Sequence, residues 1–150
     1  MFGYVSRRRN KVRDYLASVL LGAVILAGCA TTSETSGESQ LVSTAESWLH
    51  LLDEERYEEA WHQSASYFQA AIAYQDFLRF AQGVRHPLGR VTARDVWIKT
   101  FQLNVRRRPD GQYFRASFQT SFQHKSSGAF EHVLLENEAG RWKVTSYTLR

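Results

Sequence analysis

One cysteine, Cys29, serves the whole chain of 150 residues. A single thiol excludes an internal disulfide, so the fold must hold without covalent staples. A chain of this length can bury enough surface to do so. No H-E-x-x-H motif occurs, no Gly-rich phosphate loop, no nucleophile motif and no internal repeat. Of the five histidines, His50, His62, His86, His124 and His132, none pairs with another at i, i+4 in a helix with an acid motif. No metal and no cofactor is therefore expected. No apolar run is long enough to cross a bilayer either. Tyr15 to Ala27 is 13 residues without a charge, where a helical span needs about 20.

What stands at the amino terminus is a leader. Arg7, Arg8, Arg9, Lys11 and Arg13 give a positive segment, the 13 uncharged residues follow, and Leu26-Ala27-Gly28-Cys29 closes the stretch. Length and order fit a signal peptide rather than a span. The run resembles the lipobox of bacterial lipoproteins. That resemblance implies cleavage after Gly28 and lipid on Cys29, with Leu26, Ala27 and Gly28 as the cleavage motif. It also implies a membrane-lipid partner on the periplasmic side. Ala30 after the cysteine, where Asp would mark inner-membrane retention, points to the outer membrane. With Cys29 lipidated, no cysteine nucleophile remains.

The net charge of +4 belongs to the leader, where five basic groups face Asp14 alone. Residues 29–150 hold 14 basic and 14 acidic side chains, which removes the compositional support for a nucleic-acid partner. Their distribution is uneven. Residues 29–76 hold nine acids against Arg56, and residues 77–150 hold 13 basic groups against five acids. Either an acidic helical layer complements a basic sheet layer, or a basic face meets anionic lipid or cell-wall polymer.

Three regions follow: a signal peptide over 1–28, a tether over 29–40 and one domain over 41–150. Thr31 to Gln40 is rich in Ser, Thr, Gly and Glu and lacks the large apolar groups that order a segment. As a flexible chain it would reach roughly 17 Å. Leu41, Ala45, Trp48, Leu49 and Leu52 make one helical stripe. Tyr57, Ala60, Trp61, Ala65 and Phe68 make a second. A third helix is expected over Gln75 to Val84, with Phe77, Phe80, Ala81 and Val84 inward and Pro87 beyond its end. The period then becomes two. Strands are expected over Val91–Val105, Tyr113–His124, Phe130–Asn137 and Trp142–Leu149, with turns at 106–111, 125–128 and 138–140. Val91, Ala93, Asp95, Trp97, Phe101, Leu103 and Val105 share one side of the first strand, with Lys99 breaking the alternation as a bulge does. Helices followed by an antiparallel meander give an α+β fold: three N-terminal helices on a curved four-stranded sheet.

Several short motifs recur together across the domain. They are Trp48-Leu49-x-Leu51-Leu52-Asp53, Tyr57-x-x-x-Trp61, Val84-Arg85-x-Pro87-Leu88-Gly89, Asp110-Gly111-x-Tyr113, Thr120-Ser121-Phe122 and Gly140-x-Trp142-x-Val144-x-x-Tyr147. In these the chain resembles a bacterial domain of unknown function, family 4019. The resemblance implies a cone-like roll related to the nuclear-transport-factor-2-like and cystatin-like folds. It brings no established activity, so no functional residue is carried over.

Two features invite chemistry. Asp95, on an otherwise apolar strand face, is the one acid/base candidate, since a carboxylate in the hollow of a cone would have a raised pKa. The plainer reading is an Asp at a bulge, paired with Arg94 or a helix end. Arg106, Arg107 and Arg108 sit on a hairpin tip and are candidates for anion contact. Asp53, Glu54, Glu55, Glu58 and Glu59 read as a solvated helix face, and Trp48, Trp61, Phe114, Phe118 and Phe122 as core. The expected role is a lipid-anchored envelope domain that binds rather than catalyses, with anionic lipid or an envelope protein as partner. The alternatives are an isomerase- or hydrolase-like enzyme using an acid in the pocket, and an accessory subunit of an envelope complex.

Overall fold

The computed structural model describes the backbone over 30–150 and side chains from Gly37 onward. Four α-helices come first: α1 (Ala30–Asp53), α2 (Tyr57–Gln63), α3 (Ser66–Ala71) and α4 (Tyr74–Phe80). A π turn (Ala81–Arg85) and a 3₁₀ turn (His86–Leu88) follow. Four strands complete the chain: β1 (Val91–Leu103), β2 (Gln112–Phe122), β3 (Lys125–Glu138) and β4 (Arg141–Leu149). They pair antiparallel in sequence order, the expected meander. No helix among the described residues is long and apolar enough to cross a membrane.

The stripes predicted for α1 and the central strands form the core. Leu41, Ala45, Trp48, Leu49 and Leu52 pack against Phe114, Ala116, Phe118, Val133, Leu135, Val144 and Tyr147. Phe122 is buried as expected, and Trp61 is only partly buried.

The helices depart from expectation in three places. The helical backbone of α1 covers 30–40, where composition pointed to a flexible tether. Large apolar groups are not needed there. Once Leu41 to Leu52 is packed, each added residue fixes one backbone unit and gains one hydrogen bond. The second stripe is two helices, because the chain is extended at Ser64 and Ala65. Ser64 Oγ donates to Ala60 O at 2.8 Å, and Ala65 N donates to Val144 O at 2.8 Å on the sheet. The third helix widens into the π turn after Phe80. A π turn takes more residues per revolution, so the residue one turn beyond Ala81 is Arg85. Arg85 is buried, and Val84 is left 44% exposed.

The sheet departs in two. The β2–β3 turn is Gln123–His124, tighter than the expected 125–128. It is held by Gln123 N donating to Arg90 O and His124 N to Leu88 O, at 2.8 and 3.0 Å. Two irregularities in β1, between Val91 and Ala93 and between Val96 and Ile98, shift its register against β2. Arg94 and Val96 thereby pair with Thr120 and Phe118 of the core face, and Asp95 pairs with Gln119 of the other.

Candidate functional site

Four charged side chains meet between the helices and the sheet. Asp53 ends α1, Arg85 ends the π turn, Arg94 comes from β1 and Glu131 from β3. Arg94 grips Asp53 in bidentate fashion, Nη1 to Oδ2 at 2.7 Å and Nη2 to Oδ1 at 3.0 Å. Its Nε donates to Glu131 Oε2 at 2.9 Å. Arg85 donates to Asp53 Oδ1 and to the Gly89 carbonyl. Its guanidinium lies 4.4 Å from the centre of the Phe122 ring, with Nε 3.9 Å from Glu131 Oε1. Glu131, fully buried, also accepts from Thr120 Oγ1 and Tyr147 Oη, each at 2.7 Å.

Two positive and two negative groups cancel, which is the condition for keeping such charges out of water. Burial works against the charge of Arg94, but the hydrogen bonds and field of Asp53 and Glu131 outweigh it and raise its pKa. Burial first, and then the Glu131 carboxylate, pushes Tyr147 well above its usual value, so it stays a phenol that donates. Both carboxylates accept hydrogen bonds at each of their oxygens. The cluster holds α1, the π turn and the sheet together, and each of its carboxylates is paired with arginine.

A polar pocket of about 280 Å³ opens beside the cluster, lined in part by Asp53, Tyr57, Arg85, His86, Arg90 and His124. His86 Nδ1 lies 2.9 Å from Glu55 Oε1, and His124 Nδ1 lies 3.0 Å from Pro87 O. The Tyr57 hydroxyl is buried without a hydrogen-bond partner. Its pKa is raised by burial and by Glu55, against the opposing pull of Arg85.

The sequence candidates fall elsewhere. Asp95 is exposed on the face away from this cluster, and Arg94 takes the inward place. The irregularity between Val91 and Ala93 shifts the alternation that had turned Asp95 inward. Of the hairpin arginines, Arg106 and Arg107 are exposed. Arg108 is not free. Its Nη1 donates to Thr145 O and Oγ1 at 3.1 and 2.9 Å, and it lies 4.9 Å from the centre of the Tyr67 ring. Cys29 and the motif Leu26, Ala27, Gly28 lie outside the described residues. No group of three or more metal-ligating side chains occurs among the described residues.

Residues 44–147 match the family described as protein of unknown function, DUF4019. The chain belongs to the DUF4019 family. No curated protein matches it.

The charged cluster of this DUF4019 domain was missed in the sequence, though its signal is there. Asp53 stands four residues after Leu49, on the stripe of α1, and was grouped with a solvated face. Only Glu54, Glu55, Glu58 and Glu59 are solvated. Glu131 alternates with Val133 and Leu135, so an acid at a core position of a strand was legible from period two.

Proposed function

We propose that the chain is a lipid-anchored protein of the cell envelope, held at Cys29 on the periplasmic side of the outer membrane. Its DUF4019 domain works there as a non-catalytic binding module. The domain is read as a relative of the nuclear-transport-factor-2-like and cystatin-like cones. The helices laid on the core face of a four-stranded meander support that kinship.

The observation that carries the binding reading is the state of the interior. In a cone that does acid–base chemistry, a carboxylate in the hollow must be free to take a proton. Here Asp53 and Glu131 are each held by arginine, and Glu131 by two hydroxyls besides.

The test has two arms. Growth with an alkyne-tagged palmitate and intact-mass analysis should find acyl adducts on the wild-type protein and none on Cys29→Ser. Crosslinking in intact membranes should capture a partner from the anchored protein. A wild-type mass without acyl groups removes the anchor. Turnover of a small molecule that Glu131→Gln abolishes in a still-folded protein removes the non-catalytic reading.

A further inference from the structure

The outer face of the sheet, turned away from the helices, holds a second cluster of a different kind. Alternation along each strand puts Arg115 and Ser117 of β2, Phe130, His132 and Leu134 of β3, and Ser146, Thr148 and Arg150 on this face. Pairing aligns them in rows: Arg115 with Leu134 and Ser146, Ser117 with His132 and Thr148. Arg150 exchanges backbone hydrogen bonds with Phe130 at 2.8 and 3.0 Å. His132 therefore has two arginines at its diagonals, Arg115 on β2 and Arg150 just beyond β4.

We propose that this face is a binding site for a phosphate group, with Arg115, His132 and Arg150 as its cationic and donor groups and Ser146 and Thr148 supplying hydroxyls.

Four observations carry the proposal. A groove of about 410 Å³ runs over these residues, and no carboxylate side chain lines it. That volume is in the range of small-ligand sites. The Arg115 and Arg150 guanidinium groups form no ion pair and no hydrogen bond among the described residues, whereas Arg56, Arg79, Arg85 and Arg94 all face carboxylates.

The imidazole is also fixed in place. His132 Nδ1 lies 2.8 Å from Ser117 Oγ, and the ring is stacked on Phe130. With the Ser117 hydroxyl donating to Nδ1, the neutral ring carries its proton on Nε2, a donor for an anion. Finally, the chemistry matches. Guanidinium groups bind phosphate oxygens with paired hydrogen bonds. Arg108, anchored on Thr145 and Tyr67, forms one wall without spending its charge on a carboxylate.

On the β1 side Trp97 meets Phe130 in a tilted pair at 4.7 Å and Ile98 pairs with Ser117, with Thr100 opposite Arg115 and Asp95 farther along the same face. The phosphate would be carried by a group that tolerates a partly apolar flank, either a soluble phosphate ester or a phospholipid headgroup. This inference goes beyond the proposed function. It does not depend on the lipid at Cys29, and the anchoring assay does not bear on it.

The experiment follows the His132 imidazole by NMR in the full-length protein in zwitterionic detergent. Burial first, then the fields of Arg150 and Arg115, lower the His132 pKa. An anion seated between the two arginines offsets their field and should raise it. Inorganic phosphate is expected to shift the resonance to saturation, and chloride at equal ionic strength to leave it in place. Arg115→Gln and Arg150→Gln should each weaken phosphate binding about tenfold, with unchanged thermal midpoints because neither guanidinium has a partner. Arg79→Gln, an exposed helix arginine, should have no effect.

The same measurement in nanodiscs separates the sources. A shift in phosphatidylglycerol discs over phosphatidylcholine discs, without one from free phosphate, assigns the site to a lipid headgroup. A response to free phosphate assigns it to a soluble ligand. Equal responses to phosphate and chloride, a response that survives both variants, or none in either arm would overturn the proposal.

Discussion

Replacing Glu131 by Gln keeps the size of the side chain and removes its charge. Arg85 and Arg94 would then share Asp53 alone in a buried place. Breaking one partner of such a cluster costs about 3–5 kcal/mol, so the urea midpoint of Glu131→Gln should fall by the equivalent amount. A loss under about 1 kcal/mol would show that water or relaxation satisfies the arginines. The aromatic anchor gives a second expectation. Trp48 is buried, donates to Ala60 O at 2.8 Å, and meets the rings of Phe68, Phe77 and Tyr147. Trp48→Ala should cost about 3–5 kcal/mol. Trp61→Ala should cost clearly less, since that ring is only partly buried. Denaturant titration of the two variants orders them, and equal losses would contradict the difference in burial. At this scale the sequence was readable wherever an apolar residue repeats with its neighbours, as Trp48 does. It was unreadable at Asp95 and Arg94, where one irregularity early in β1 exchanges the faces of adjacent residues.

The short helices show how an element that is weak by itself is held. Helix α3 has six residues, and its N-cap, Ala65, makes no side-chain capping bond. Glu138, near the end of β3, supplies one from outside the helix, accepting from Ser66 N at 3.0 Å. Lys143 pairs with the same carboxylate at 2.7 Å. Lys143 first, and then Ser66, hold the Glu138 pKa down at about 2, against an ordinary 4.5. A carboxyl depressed in the folded state stabilises it above the ordinary value and loses that contribution as pH falls through the folded one. Thermal midpoints of the wild type should therefore drop between about pH 4.5 and 2 more steeply than those of Glu138→Gln. The difference will be modest, since water screens a group this open. Parallel curves would show that Glu138 does not cap α3. The strands and their order were legible from period two. The division of the second helical stripe was not, because the hydrogen bond that ends α2 and starts α3 comes from Val144, far along the chain.

At the scale of the molecule, the acidic and basic halves of the chain meet at several points among the described residues. Asp53 with Arg94, and Glu38 with Lys99 at 2.5 Å, join α1 to the sheet. Much of the remaining positive charge stays on the sheet and its hairpin tip, at Arg106, Arg107, Arg115 and Arg150. The layer-on-layer complement read from composition thus accounts for the interior, and a basic surface is left over.

The buried charges have one more consequence, for strand alignment. Apolar residues occupy both faces of β3: Val133 and Leu135 on one, Phe130 and Leu134 on the other. A slip by one residue exchanges those faces, and on hydrophobicity alone the loss would be small. The slip would, however, carry Glu131 into water and leave the two arginines inside with half their counter-charge, which is the costly event. The four charges therefore act as a key that only one alignment turns. Exchanging all four for apolar groups (Asp53→Leu, Arg85→Met, Arg94→Met and Glu131→Leu together) should keep the domain folded but let β3 pair in more than one alignment. Doubled amide resonances along β3 would reveal it, and a single set would show that the apolar pattern suffices.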